Sequence, residues 1–153
     1  MKALLCLIFP IILLVGYGQP DLDDPKVLDG ILDEAVHLNS LQRKGSRGKD
    51  SFYDPNKDNS YTGWAKLMHP NGKLHFLMYL NNGKPDGICS GWYDNGRKMV
   101  EGNYNNGKVL SIKGWKHNGE KCPKAQMIDG KVASYQIYSK DGTVRSAGIL
   151  PNY

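Results

Sequence analysis

Short apolar segments alternate with Asn-Gly or Asp-Gly pairs between residues 61 and 142. Roughly seven to nine residues separate one pair from the next, which is the length of an ordinary β-strand. Residues 73–80, 97–104 and 109–116 are rich in strand formers. Because Asn-Gly and Asp-Gly tolerate positive φ at the tip of a tight turn, the pattern predicts consecutive antiparallel β-hairpins.

The glycines of these pairs form two interleaved series. The first is Gly72, Gly96, Gly119 and Gly142, spaced 24, 23 and 23 residues apart, and the second is Gly83, Gly107 and Gly130, each 11 residues after a member of the first. Gly-Trp pairs precede the first turn at residues 63–64, 91–92 and 114–115. A fixed period of this kind is typical of a repeat protein whose units contact only their neighbours.

Residues 23–42 have a different period. Asp24 suits a helix N-cap and Pro25 the first helical position. The apolar positions follow at helical spacing and are Val27, Leu28, Ile31, Leu32, Ala35, Val36 and Leu38. This pattern predicts an amphipathic helix of about four to five turns that closes before Gly45. We favour a helix that covers the open end or face of the sheet, the alternative being a helix that binds a partner.

The N-terminus resembles an export signal. Residues 1–15 combine a positive start with an apolar run, and Gly16, Tyr17 and Gly18 give a small-x-small cleavage site. The uncharged run is short for the span of about 20 residues that a membrane anchor needs, and Pro10 interrupts it. We therefore predict a signal peptide over residues 1–18, a helix and polar linker over 19–50, a hairpin domain over 51–153, and a periplasmic, cell-envelope or extracellular location.

Export would leave Cys89 and Cys122 in an oxidising compartment. Two strands around Met99 and Ile112 separate them in a simple ribbon. The expected separation of roughly 14 Å exceeds the ~7 Å limit for a disulfide. Two buried free thiols are the expectation, and no cysteine or histidine spacing typical of a metal site is present in the sequence.

Charge is divided unevenly along the chain. Residues 19–44 carry three basic and six acidic side chains, a net −3, whereas residues 45–153 carry sixteen basic and nine acidic ones, a net +7. A basic sheet attracts anionic lipid headgroups, acidic wall polymers or an acidic protein. Lysines beside turns and edges also protect a sheet against aggregation, and we favour that simpler explanation. Nucleic acid is not an expected partner of an exported chain.

Aromatic side chains recur at fixed places in the unit, as Trp64, Trp92 and Trp115 do. In one interpretation they stack across strands and hold the sheet together. In the other, one row stays exposed as a platform for a sugar or a partner chain. The candidate binding residues on this aromatic and basic face are Trp64, Trp92, Tyr93, Tyr104, Trp115, Lys98 and Lys116.

Residues 92–108, WYDNGRKMVEGNYNNGK, resemble the bacterial variant of the MORN (membrane occupation and recognition nexus) repeat, and residues 61–64 and 114–119 match it more loosely. The resemblance covers roughly residues 51–149 and implies a single-layer antiparallel sheet of hairpins, which follows the N-terminal helix predicted from residues 23–42. Bacterial proteins built from this repeat are grouped as antitoxins of toxin–antitoxin systems, which implies no catalytic residues. An export signal does not fit a cytoplasmic antitoxin.

The sequence offers little for catalysis. His69 and His75 flank the Asn71-Gly72 turn, so they can approach each other, but no carboxylate falls in a position to complete a site. Nucleophile-elbow, phosphate-loop and dinucleotide motifs are missing from the sequence. We expect a non-enzymatic protein-interaction module at the cell envelope that needs no cofactor and no metal. A binder of wall glycan or anionic lipid and an antitoxin are the alternatives.

Overall fold

The computed structural model describes residues 18–45, 51–57, 59–122, 126–128, 131–138 and 144–147. The predicted signal peptide up to residue 17, the turns at Gly130 and Gly142, and the last residues from 148 onward lie outside this part of the chain. Within it, the fold is mainly β with one α-helix, as the sequence predicts.

The secondary structure begins with helix α1 (Pro25–Glu34) and continues in strands. These are β1 (Val36–His37), β2 (Gln42–Lys44), β3 (Ser51–Asp54), β4 (Asn59–Ser60), β5 (Gly63–Met68), β6 (Leu74–Asn81), β7 (Lys84–Trp92), β8 (Lys98–Asn105), β9 (Lys108–Gly114), β10 (Gln126–Ile128), β11 (Lys131–Tyr138) and β12 (Val144–Ala147). A single 3-10 turn, Leu38–Ser40, separates β1 from β2.

The main sheet has six strands in the order β1-β5-β6-β7-β8-β9. The chain from β5 to β9 runs as a meander of antiparallel neighbours, and β1 adds a parallel edge through Val36 opposite Ala65 and His37 opposite Lys66. Strands β2-β3-β4 and β10-β11-β12 form two further three-stranded sheets. The expectation of one wholly antiparallel sheet is therefore wrong in two respects, namely the parallel edge and the division into three sheets.

The sequence of residues 52–56 predicts the first edge strand of the hairpin sheet with a turn behind it, and the structure places this strand differently. Phe52 lies in β3, which pairs with β2 and β4 rather than with β5. It meets the main sheet at a turn, since its N–H donates to the carbonyl oxygen of Gly83 at 2.8 Å. Part of the predicted polar linker is ordered as strand β2, whose Gln42 lies opposite Tyr53.

The predicted turn glycines that the structure describes all take positive φ, but the two series use different turns. In the second series both turn residues are left-handed, with φ of 49° and 76° at Asn82-Gly83 and 48° and 79° at Asn106-Gly107. This is the geometry of a two-residue type I′ hairpin. Its twist matches that of the flanking strands, which explains why these hairpins need Asn-Gly.

In the first series only the glycine is left-handed, with φ of 79° at Gly72, 89° at Gly96 and 93° at Gly119. The Gly72 N–H donates to the His69 carbonyl at 2.9 Å and the His69 N–H to the Lys73 carbonyl at 2.8 Å. The same two bonds close the turns at Gly96 and Gly119. This is a type I turn followed by a left-handed residue. The expectation that every Asn-Gly pair forms the tip of the same kind of tight turn is therefore wrong for the first series, where only the glycine has positive φ.

Helix α1 begins where the sequence predicts and ends early. The Asp24 side chain accepts from the Lys26 N–H at 2.9 Å, and Pro25 is the first helical residue. The helix has 10 residues, about three turns, because Ala35 turns extended and Val36 enters β1. Val36 and Leu38 fit a helical period and a strand period equally well, and pairing with β5 favours the strand.

Both faces of the main sheet carry apolar side chains, because alternate residues point to opposite sides. On the helix face, Leu77 and Trp92 pack with Leu22, Ala35 and α1. On the opposite face, Phe76, Met78, Val100, Tyr104 and Ile112 form a larger cluster. The helix therefore packs on a face of the sheet, as one of the two predicted arrangements has it.

Glycines on the face opposite the helix make room for large rings. A Cβ added at Gly91 would lie 2.6 Å from Cε1 of Phe76, and one at Gly102 would lie 2.8 Å from Cε2 of Tyr104. Real side chains do not approach so closely, so each ring lies over a backbone that only glycine provides. This explains the glycine of the Gly91-Trp92 pair.

Both cysteines of the described chain are free thiols, and strands β8 and β9 lie between them. Cys89 is buried, which raises the pKa of its thiol to about 12. Cys122 is only half-buried, so the prediction of two buried thiols is correct for Cys89 alone. No helix in the described ranges is long and apolar enough to span a bilayer.

Candidate binding surfaces

The predicted aromatic face is not one exposed row. Trp92, Tyr93 and Tyr104 are 8%, 8% and 6% exposed, so they cannot form an open platform. Trp64 and Trp115 are half-buried. Trp92 lies under the helix, whereas Tyr93 and Tyr104 belong to the cluster on the other side of the sheet. The structure thus divides between two faces the rings that the sequence groups together.

Lys98 holds the N-terminal segment against the sheet. Its Nζ lies 2.7 Å from Asp23 Oδ1 and 2.9 Å from Glu101 Oε2, and only 14% of its side chain is exposed. Burial alone would lower the pKa of Lys98, but the hydrogen bonds to Asp23 and Glu101 outweigh it and the pKa is raised. Its Nζ also lies 5.8 Å from the centre of the Trp115 ring. These contacts give Lys98 a structural role.

Lys116 is more open and pairs with Glu120, Nζ to Oε2 at 2.8 Å, across the turn at Gly119. About 35% of its side chain is exposed. Together the seven predicted binding residues do not converge on one site: Lys116 lies at the turns, whereas Trp64 packs against the helix side.

The first-series turns form a continuous exposed structure that we call the turn ridge, residues 69–73, 93–97 and 116–120. The Asn71 Nδ2 donates to the Asp94 carbonyl at 2.9 Å, and Asn95 Nδ2 to the His117 carbonyl at 3.2 Å. Arg97 Nη1 adds a bond to the Asn118 carbonyl at 2.7 Å. Each turn is therefore fastened to the next by a side-chain amide or guanidinium.

The ridge asparagines also close their own turns. Asn71, Asn95 and Asn118 accept through Oδ1 from the backbone N–H two residues later, at 3.1, 2.9 and 3.1 Å. Such Asx bonds favour the turn in the isolated chain as well as in the fold. The ridge is consequently preorganised although its residues are largely exposed.

Basic side chains extend along the ridge. A Cβ at Gly96 would lie 4.0 Å from Lys73 Nζ, and one at Gly119 would lie 3.9 Å from Arg97 Cδ. Lys73 and Arg97 are exposed and each lies over the glycine of the following turn. Because those turns are two strands apart, the cations follow one another at about 10 Å.

His117 and Asp94 form a pair on the ridge that the sequence does not reveal. His117 Nε2 lies 3.3 Å from Asp94 Oδ1, and His117 Nδ1 lies 3.1 Å from Asn95 Nδ2. The imidazole also packs against the Tyr93 ring at 4.9 Å. The pair braces the second turn against the third.

The two histidines at the first turn do approach each other, as the sequence indicates. The rings of His69 and His75 stack with centroids 4.0 Å apart, and His69 Nε2 lies 2.9 Å from the Trp92 carbonyl. Burial, with a smaller effect of His69, lowers the pKa of His75 from 6.5 to about 4. The His75 imidazole is therefore neutral at pH 7.

A cleft opens at the ends of the strands that lie opposite the turn ridge. Its volume is ≈ 460 Å³ and its lining residues are Gln19, Tyr79, Asp86, Gly87, Asn103, Tyr104, Asn105 and Leu110. Gln19 closes one side, with Nε2 donating to Asn103 Oδ1 at 2.7 Å.

Sequence reasoning missed the cleft, although one signal was available. Positions 62, 86 and 110 are spaced 24 residues apart and hold Thr, Asp and Leu. Thr62 and Asp86 accept from the N–H groups of Asn82 and Asn106 at 3.0 and 3.3 Å. Leu110 cannot accept a hydrogen bond and is instead 56% exposed beside the cleft.

No group of three or more potential metal ligands occurs in the part of the chain that the structure describes. Comparisons with protein-family models, with curated proteins and with solved structures find no match to this chain. The class that the structure itself defines is a mainly β protein with one helix and an open sheet of mostly antiparallel strands. The turn ridge and the cleft are the candidate functional surfaces of this structure.

Proposed function

We propose that the protein is an exported, non-enzymatic repeat protein of the MORN type that binds an acidic protein partner at the cell envelope. The turn ridge carries this proposal. It presents Lys73 and Arg97 along one line, above turns that are fastened to one another by Asn71 and Asn95.

Rigidity is what makes the ridge suitable for binding. An exposed loop ordinarily loses conformational entropy when a partner orders it, at a cost of about 0.5–1.5 kcal/mol per immobilised side chain. The Asx bonds and the cross-turn bonds order the ridge backbone beforehand. The positive line then attracts an acidic surface and accelerates the encounter.

The partner test uses the chain without residues 1–18 and an envelope extract of its own host. Lys73→Gln combined with Arg97→Gln removes two of the three ridge cations and keeps hydrogen-bonding side chains; the third, Lys116, is paired with Glu120. Lys26→Gln combined with Lys57→Gln removes two exposed cations elsewhere and serves as the matched control. We expect one protein to be captured by the wild type and the control, lost with the ridge variant, and released by salt.

Other outcomes decide between the remaining functions. Equal capture by the ridge variant contradicts the ridge proposal. Sedimentation with anionic vesicles or purified wall, without a captured protein, favours the lipid or glycan binder. Retention of residues 1–18 on the protein recovered from its host, with a cytoplasmic toxin as partner, favours the antitoxin.

A further inference from the structure

We infer that the cleft is a binding site for a neutral saccharide, separate from the turn ridge. Its side chains come from the N-terminal segment and from strands β6 to β9, and they are Gln19, Tyr79, Asp86, Asn103, Asn105 and Leu110. The site is a shallow, open groove of ≈ 460 Å³.

Charge narrows the class of ligand. The lining contains one carboxylate, Asp86, and no basic side chain, so an anionic ligand has nothing to pair with. Asp86 already accepts from Asn81 Nδ2 at 3.0 Å and from the Asn106 N–H at 3.3 Å, which leaves it poorly placed to hold a cation alone. The ligand is therefore a neutral molecule.

The polar groups of the lining narrow the class of ligand further. The cleft presents three side-chain amides, of Gln19, Asn103 and Asn105. A purely apolar ligand would remove these amides from water without replacing their hydrogen bonds, which is unfavourable. The amides of the lining both donate and accept hydrogen bonds, and the carboxylate accepts them. A hydroxyl group can pair with either, because it is both a donor and an acceptor. A ligand rich in hydroxyls satisfies this lining.

The apolar part of the lining suits the carbon face of a sugar ring. Leu110 in β9 is 56% exposed, Tyr79 in β6 is half-buried, and both line the cleft. The Tyr79 ring packs edge-on against Trp64, with centroids 5.4 Å apart and an interplanar angle of 69°, which fixes its direction. Amides for the hydroxyls and an aromatic surface for the C–H groups are then available in one cleft.

The polar groups are held in place before a ligand arrives. Gln19 Nε2 donates to Asn103 Oδ1, which orients the Asn103 amide, and Asp86 is fixed by its two donors. Gly87, with φ of 77°, adds no side chain to the floor. A preorganised site loses less entropy on binding.

The test follows the amide resonances of the labelled chain while it is titrated with chitotriose and, separately, with cellotriose. We expect saturable shifts confined to residues of the cleft, including Tyr79, Asp86, Asn103 and Leu110. The two probes distinguish a polymer of N-acetylglucosamine from a polymer of unmodified glucose as the source of the ligand. Asn103→Ala should weaken binding about tenfold, the effect of losing one hydrogen bond to the ligand.

Leu110→Arg provides a second variant, because an exposed side chain can be replaced without loss of core packing. The larger arginine side chain should fill the cleft and weaken binding about tenfold. Asn39→Ala, exposed and remote in sequence, is the control and should leave binding unchanged. The ridge variant Lys73→Gln/Arg97→Gln should bind saccharide normally. Failure of the ridge proposal can therefore be distinguished from failure of the cleft proposal. Three results overturn the inference: no shifts with either sugar at about 10 mM, shifts outside the cleft, or unchanged affinity in both cleft variants.

Discussion

The Phe76 ring occupies the space that a side chain at Gly91 would need, with Cε1 only 2.6 Å from the Cβ position. Gly91 lies opposite Phe76 on the neighbouring strand, and Val100 Cγ1 approaches the same point from the other side at 3.0 Å. A methyl group at Gly91 must therefore displace the Phe76 ring, which is only 2% exposed. The glycine before Trp92 is a packing requirement rather than a turn residue.

Gly91→Ala should destabilise the fold by about 1–3 kcal/mol, the usual cost of overpacking a core. Urea unfolding followed by tryptophan fluorescence measures it. Gly30→Ala is the matched control, since nothing lies within 4 Å of its Cβ position and alanine favours a helix by about 0.5–1 kcal/mol. Equal midpoints for Gly91→Ala and the wild type would refute the packing described above.

Trp92→Ala should cost about 3–5 kcal/mol, because the ring is 8% exposed and packs beneath the helix with Leu22 and Leu77. Leu110→Ala, on a 56% exposed side chain, should change stability by no more than about 0.5 kcal/mol. Chemical denaturation of both variants compares them directly. A nearly silent Trp92→Ala would mean that the helix does not cover this face.

The two kinds of turn should respond differently to glycine. Asn106→Gly should be close to neutral, because φ is 48° there and glycine adopts it freely. Asn95→Gly should cost about 1–2 kcal/mol, since it removes the bonds to the Arg97 N–H and the His117 carbonyl. Thermal unfolding of the pair is the measurement, and equal losses in both variants would contradict the assignment of two turn types.

Stability should fall as the pH drops from about 6.5 to about 4. Burial, with a smaller effect of His69, lowers the pKa of His75 to about 4, so the unfolded chain binds a proton that the folded chain refuses. The stability that this group contributes is complete above the unfolded pKa and is lost as the pH falls through this window. Urea midpoints at pH 7, 5.5 and 4 follow the loss, and His75→Gln should reduce it. A loss of the same size in His75→Gln would assign it to other groups.

The strands and the described turn glycines follow from the sequence because their signals are local. Gly83 and Gly107 sit where the chain needs left-handed residues, and Asp24 caps the helix start with its own side chain. These requirements act within a few residues and do not depend on the rest of the fold.

Features decided by distant contacts could not be predicted. The helix ends at Glu34 because Val36 pairs with Ala65 in β5, and no local residue marks that end. The cleft depends on Gln19 reaching Asn103, 84 residues away. Burial of Trp92 likewise depends on where the helix lies. The sequence therefore groups on one surface rings that the fold places on two faces.

The account depends on the strand register of the meander, since both the turn ridge and the cleft are built from it. Cross-strand nuclear Overhauser contacts in the labelled protein test this most directly. The register predicts contacts of Cys89 with Gly102 and of Gly102 with Ile112. Contacts displaced by one residue, which would exchange the two faces, or helical contacts between residues 84 and 114, would contradict it.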